Sequence, residues 1–139
     1  MFFRGCVILT GMSSHTFSLT STIARHPSYP YEAIKDAILG RSYVLSVAFV
    51  GTKRAQKLNV AYRQKTYVPN VLSFPLDSKT GEIYLCPEIA YPEAKDFNLT
   101  KDGYIAFLFI HGCLHLKGHD HGDTMEALER RFMKRFRIV

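Results

Sequence analysis

Two periodicities of hydrophobic and polar residues run through this chain, and together they predict a mixture of strands and helices. Four segments are rich in β-branched and aromatic residues, which favour strands: 2–9, 43–50, 71–74 and 82–86. Segment 43–50 is apolar at nearly every position, which is typical of a central strand with both faces buried. A hairpin-like turn over residues 77–81 is predicted to join the last two strands.

Apolar residues at helical spacing predict helices between and after these strands. We predict a short helix over residues 18–24, a second over 31–39 that ends at Gly40, and a third that begins near Thr52. The helix over 103–117 has almost no polar face and is predicted to be buried, and a last amphipathic helix follows it. Because helices and strands neither alternate strictly nor segregate, we predict an α+β fold. It would be a small mixed β-sheet of about four strands packed with helices around the buried central helix.

Length and composition set the class of protein. A chain of 139 residues, 47% hydrophobic and 22% charged, can bury its own core, so we predict a single domain over residues 1–139. No apolar run reaches the roughly 18 residues of a membrane helix. Cys6, Cys86 and Cys113 form no CxxC pair, which predicts reduced, mostly buried thiols and a cytoplasmic protein. The absence of acidic residues before Glu32 leaves a transit peptide open as an alternative.

The candidate chemistry is concentrated in residues 111–121, whose sequence is HGCLHLKGHDH. His111 and His115 are four residues apart, so on a helix they share one face with their Cβ atoms about 5–6 Å apart. Gly118 can end that helix in a left-handed conformation and return the chain so that His121 becomes a third ligand. Three histidines without a fourth ligand predict a catalytic zinc site, one ion per chain, although imidazole also suits other transition metals.

Alternatives to this site remain open at the level of sequence. The histidine spacing is that of metzincin peptidases, but Gly112 stands where those enzymes carry the glutamate that acts as general base. The histidines could also be core or surface residues that bind no metal. His119 is not needed to complete the set. Asp120 and Asp123 are predicted either to accept hydrogen bonds from the metal-bound rings or to cap a helix.

Five separated blocks, in the right order, resemble the YbeY endoribonucleases, the rRNA maturation factors of bacteria and organelles. The family's metal motif reads HGxLHLxGxDH, and residues 111–121 fit it throughout. Residues 58–65 resemble its N-x-x-Y-R-x-K block, residues 71–75 match its VLSFP strand, and residues 81–83 resemble its GDI strand start. The segment Met-Glu-x-x-Glu at 125–129 fits the region that follows the metal motif.

The chain departs from the family pattern at His119, at Thr66 and in the segment 68–70, which reads Val-Pro-Asn where the family usually has Pro-Thr-Asp. His119 stands where tyrosine is usual, and Thr66 and Asn70 stand where the family usually has aspartates. Two carboxylates of the family pattern are therefore absent near the expected cleft, so no role is assigned to them in this chain.

The resemblance implies a single-strand-specific, metal-dependent endoribonuclease that hydrolyses RNA phosphodiester bonds in rRNA maturation and ribosome quality control, in the cytoplasm. It implies His111, His115 and His121 as zinc ligands, with His111 and Arg63 as catalytic residues. We expect the planar guanidinium of Arg63 to bind the substrate phosphate and Lys65 to add a second positive charge. The expected partners are single-stranded rRNA and the ribosome, with a ribosomal protein or a GTPase as candidate recruiter. The formal net charge of +6 favours such polyanions.

The main rival is a ribosome-associated factor without enzymatic activity, in which zinc ties the buried helix to the loop that follows it. The missing general base fits that picture, but a structural zinc needs a fourth protein ligand. A metallohydrolase with another substrate is the remaining alternative. Candidate aromatic residues for stacking on bases are Tyr29, Tyr31, Tyr67 and Tyr91, among which the sequence does not choose.

Overall fold

The structure, a computed structural model, describes residues 10–13 and 15–139. Within these residues a single sheet contains five strands: β1 Thr10–Ser13, β2 Phe17–Ser21, β3 Val44–Phe49, β4 Val71–Asp77 and β5 Thr80–Leu85. The strand order is β1-β2-β3-β5-β4. The three inner strands run parallel to one another, whereas both edge strands pair antiparallel. The predicted α+β fold with a mixed sheet is therefore confirmed, with five strands rather than about four.

In the described part of the chain, five α-helices surround the sheet: α1 Tyr31–Leu39, α2 Thr52–Arg63, α3 Pro87–Ala90, α4 Lys101–Lys117 and α5 Asp123–Arg135. A 3₁₀ helix, Tyr91–Phe97, continues directly from α3. Helix α1 ends at Gly40 as predicted, since a φ of 93° suits glycine. Helix α4 begins slightly earlier than predicted because the hydroxyl of Thr100 accepts the Gly103 N–H. Among the described helices, none is long and apolar enough to cross a membrane.

One predicted element near the N-terminus is wrong. The sequence predicts a helix over residues 18–24, but Phe17–Ser21 is strand β2. Its side chains alternate between buried and partly exposed positions, with Phe17 and Leu19 in the core, and a period of two belongs to a strand. The predicted strand over residues 2–9, together with Cys6, lies outside the described residues.

Strand β3 lies at the centre of the sheet, as its apolar sequence predicts, but residues 44 and 46 are exposed, so it is buried on both faces only in its second half. Leu45 and Val47 face the larger core, which also contains residues of α1 and α4. Ala48 faces the smaller core, to which α2 contributes Ala55 and Leu58. Helices therefore cover both faces of the sheet, with α4 on one side and α2 on the other.

Helix α4 is the buried helix that the sequence predicts. Ten of its 17 residues are buried, including Ile105, Phe109 and Cys113 at 0% exposure. Burial raises the pKa of the Cys113 thiol far above its usual range, so this cysteine stays protonated. Cys86 is likewise buried and free, which confirms the prediction of buried thiols for the two described cysteines. The candidate chemistry therefore lies with the histidines at the C-terminal end of α4.

Candidate metal centre

Three histidines converge at the C-terminal end of α4. His111 and His115 lie one turn apart on the helix, and His121 lies in the loop before α5. One ring nitrogen of each lies within 4.8 Å of the others, and the Nε2 atoms of His111 and His115 are 3.0 Å apart. Tetrahedral zinc with ligands at about 2.05 Å holds neighbouring nitrogens about 3.3 Å apart. The three side chains could therefore hold a metal ion.

The turn that returns His121 to the helix begins at Gly118. This glycine has a φ of 110° and a ψ of 9°, the left-handed conformation predicted from the sequence. Its N–H donates to the carbonyl of His115, and the next N–H, of His119, donates to that of Leu114. These two bonds close the end of α4 and fold the loop back over the helix end. The chain thereby brings His121 beside its two partners.

Both helix histidines are fixed by hydrogen bonds from Nδ1. The Nδ1–H of His111 donates to Oε2 of Glu129 over 2.5 Å, and that of His115 donates to the carbonyl of His119 over 2.9 Å. Each Nε2 lone pair is then left facing the centre of the triad, as a metal ligand requires. Burial, reinforced by the neighbouring His111, lowers the pKa of His115 below its usual value, which favours the neutral ring.

The partners of these rings differ from those predicted. Asp120 and Asp123 are the expected acceptors, but for His111 and His115 this prediction is wrong. The backbone carbonyl of His119 accepts the hydrogen bond from His115. Glu129 of α5, only 7% exposed, accepts the one from His111. A sequence signal for Glu129 exists, because it follows the buried Met125 by four residues and thus lies on the buried face of an amphipathic helix. His119 contributes its carbonyl, and its ring is not part of the triad.

Gly112 lies where a metzincin peptidase has its general base, and packing explains why nothing larger stands here. A Cβ added to Gly112 would lie 2.8 Å from Oγ of Ser73 and 3.1 Å from Cδ1 of Ile83. The helix backbone is therefore packed directly against β4 and β5. A side chain at this position would point into the sheet and away from the triad. The peptidase alternative thus has no structural support at its defining position.

We predict that Gly112→Glu destabilises the protein instead of supplying a general base. Overpacking of this kind costs about 1–3 kcal/mol, and burial of a carboxylate adds to it, so Tm should fall by about 4 °C or more. Thermal unfolding followed by circular dichroism measures the change. Lys101→Glu is the control, because it puts the same residue at an exposed position in the first turn of α4, where negative charge is tolerated. An unchanged Tm in Gly112→Glu would contradict the packing argument.

A cavity of about 480 Å³ opens in front of the histidines. Its other lining residues are Arg63, Tyr67, Asn70, Val71 and Ser73. The structure thus brings Arg63, the last residue of α2, into the same cavity as the triad. Gln64 follows it with a left-handed φ of 57°, which ends α2 at this point. Lys65 is exposed and does not line this cavity.

Two amides hold the chain segment that lines this cavity. Asn59 is fully buried, and its Nδ2 donates to the carbonyl of Tyr67 over 2.9 Å. Asn70 donates through Nδ2 to Oε1 of Glu93 over 2.8 Å, and the hydroxyl of Tyr104 donates to the same oxygen over 3.0 Å. An aspartate at position 70 would place two carboxylates against each other. The amide found in this chain is therefore the residue that its own surroundings favour.

The family model described as "Endoribonuclease YbeY" matches residues 20–137. This chain belongs to the YbeY family. Its curated relatives include the Endoribonuclease YbeY of Stutzerimonas stutzeri, which is 38% identical over 102 residues, 64% of each chain. That of Bdellovibrio bacteriovorus is 41% identical over 85 residues, which cover 60% of this chain and 56% of the relative. This chain therefore spans less than two thirds of the length of the first relatives that it matches.

In two further comparisons the alignment covers a larger share of the related protein. The Endoribonuclease YbeY of Thiobacillus denitrificans is 36% identical over 112 residues, which cover 73% of this chain and 76% of the relative. The solution structure of TM1509 from Thermotoga maritima is similar with a TM-score of 0.55 and 28% identity. That similarity covers 75% of this chain and 77% of TM1509. The fold and the family thus agree between sequence and structure.

Proposed function

We propose that this YbeY-family chain is a metal-dependent endoribonuclease that hydrolyses phosphodiester bonds of single-stranded rRNA. The observation that carries the proposal is the convergence of His111, His115 and His121 in one cavity with Arg63. We further propose that it acts in rRNA maturation and ribosome quality control in the cytoplasm. Its partner would be the ribosome, with a ribosomal protein or a GTPase as recruiter. The family, and the names of its curated relatives, support this reading.

The residues of the cavity would have different roles in phosphodiester hydrolysis. When bound to the three histidines, zinc would supply a Lewis acid and lower the pKa of a coordinated water to about 7. Glu129 holds the ring of His111 in one orientation and favours the tautomer whose Nε2 is free to bind the metal. Arg63 can present two parallel N–H donors to a phosphate and stabilise charge that develops during cleavage. Together these residues bind the phosphate, orient it and balance its charge.

The rival with a structural zinc is less well supported. A structural site is normally closed by four protein ligands. Within the part of the chain that the structure describes, the histidine cluster contains three candidate ligands and no fourth. A cavity of about 480 Å³ lies in front of it, which is room for a substrate. These two observations favour a site that is open to chemistry.

We predict about one transition-metal ion per chain after metal-replete expression, measured by elemental analysis of the purified protein. The same preparation should cleave a single-stranded RNA oligonucleotide and spare that oligonucleotide when it is annealed to its complement. Chelation should abolish cleavage, and added Zn²⁺ should restore it, because an ion held by the three histidines would supply the Lewis acid for hydrolysis. A metal content near zero, or cleavage that survives complete chelation, would overturn the proposal.

A further inference from the structure

A row of aromatic rings leads away from the histidine triad. The ring centroid of Phe107 lies 6.2 Å from that of His111, and those of Tyr104 and Phe107 are 5.9 Å apart. Phe97 stacks on Tyr104 at 4.9 Å and also contacts Phe107 at 5.7 Å. These rings line a second cavity of about 310 Å³ that shares His111 and other residues with the first. We call this second cavity the aromatic arm and the one with Arg63 the basic arm.

One end of the aromatic arm is buried and held by a hydrogen bond, and the other end is exposed to solvent. Tyr104 is only 3% exposed, and its hydroxyl is bound to Glu93. Phe97, by contrast, is 51% exposed, although it is a large aromatic side chain. It is the last residue of the 3₁₀ helix, and Asn98 follows it in a left-handed conformation. A half-exposed aromatic ring that stacked neighbours hold in place can stack against a planar ligand.

The two arms carry opposite charge. The basic arm contains the guanidinium of Arg63, whereas the carboxylates of Glu126 and Glu129 line the aromatic arm. A phosphate is therefore favoured in the first arm and disfavoured in the second. A neutral aromatic heterocycle is favoured in the second, where stacking is available. A nucleotide presents these two chemistries next to each other, and both arms meet at the triad.

We propose that the aromatic arm is a nucleobase-binding subsite, which takes an unpaired base next to the phosphate held at the histidines. This inference rests on the proposed nuclease function and names the part of the substrate that gives the site its preference for single strands. A base within a duplex is stacked and paired, so it cannot reach Phe97 without being turned out. None of the four tyrosines that the sequence offers for stacking lines this arm, and one of them, Tyr31, is 3% exposed.

The test is a fluorescence titration of the 139-residue protein with a single-stranded RNA that contains 2-aminopurine, in chelator so that no cleavage occurs. Stacking on Phe97 should quench the probe in the wild type. In Phe97→Leu, which keeps an apolar side chain but removes the aromatic face, affinity should fall at least about fivefold. Phe97→Trp should bind within about twofold of the wild type. Leu76→Ala, a change at a 56% exposed apolar residue outside both arms, should have no effect.

The outcomes separate this inference from the proposed function, because cleavage of the same RNA is measured in parallel with metal present. Loss of affinity in Phe97→Leu without any cleavage by the wild type would keep the subsite and reject the nuclease. Cleavage by the wild type with unchanged binding in Phe97→Leu would keep the nuclease and overturn the subsite. Absence of quenching in the wild type would also overturn the subsite.

Discussion

His121→Ala should lose the bound metal ion and cleave single-stranded RNA at least about 100-fold more slowly than the wild type. Even the loss of a residue that only supports a ligand typically costs 10- to 100-fold in metal affinity or activity, and removal of a ligand should cost at least as much. His121 is the best of the three for this test because its side chain is exposed and lies in a loop. Its truncation should leave the fold unchanged, and its Tm should equal that of the wild type when both are measured in chelator, because bound metal by itself raises Tm.

His111→Ala should lose the metal equally but should also destabilise the protein. The carboxylate of Glu129 is only 7% exposed, and its hydrogen bond to His111 would be lost. A buried charge left without its partner costs free energy, so in chelator the Tm of this variant should fall below that of the wild type, while that of His121→Ala should not. The difference in Tm between the two variants separates the chemical role of the triad from its structural role.

Elemental analysis and RNA cleavage of the same preparations, together with thermal unfolding in chelator, measure these effects. His119→Ala is the matched control, because His119 supplies a backbone carbonyl and its ring is not part of the triad. This control should keep its metal and its activity. A full complement of metal in His121→Ala, with undiminished cleavage, would show that the three histidines do not form the site.

Local sequence patterns predict much of the fold and the triad. The apolar stretch around β3 predicts the central strand, but the prediction that both of its faces are buried holds only for its second half, since Val44 and Ser46 are exposed. The i, i+4 spacing of His111 and His115 and the glycine at 118 predict the triad, since both depend on helix geometry alone. Strand β2 is missed because five residues, mostly serine and threonine, carry too short a pattern to separate strand from helix.

Features that depend on packing between distant segments are harder to predict. Glu129 lies 18 residues from His111 and reaches it only because α5 packs against α4. Arg63 belongs to α2, on the opposite face of the sheet from α4. The two meet beside β4, an edge strand, whose Val71 and Ser73 line their common cavity. No local sequence pattern shows that Arg63 lies close to the end of α4. Only the resemblance to the YbeY family predicts Arg63 as a site residue.

Arg63→Ala should reduce the rate of single-stranded RNA cleavage about 100-fold and leave metal content and Tm unchanged. A preorganised donor to a charge that develops during reaction is typically worth 10²–10³ in kcat. Arg63 is exposed at the end of α2 and lines the cavity without taking part in the core, so its removal should not unfold the protein. Arg63→Lys should recover only part of the rate, because an ammonium group cannot reproduce the two parallel donors of a guanidinium.

Lys65→Ala provides the matched comparison for Arg63. Lys65 is two residues away, equally basic and exposed, but it does not line the cavity with the histidines. Its removal should change the cleavage rate by no more than about fivefold, as expected for one solvent-exposed charge. Rates at saturating RNA, measured with metal content confirmed for each variant, distinguish the two positions. Equal losses in the two variants would mean that general positive charge attracts the RNA and that Arg63 has no specific place at the phosphate.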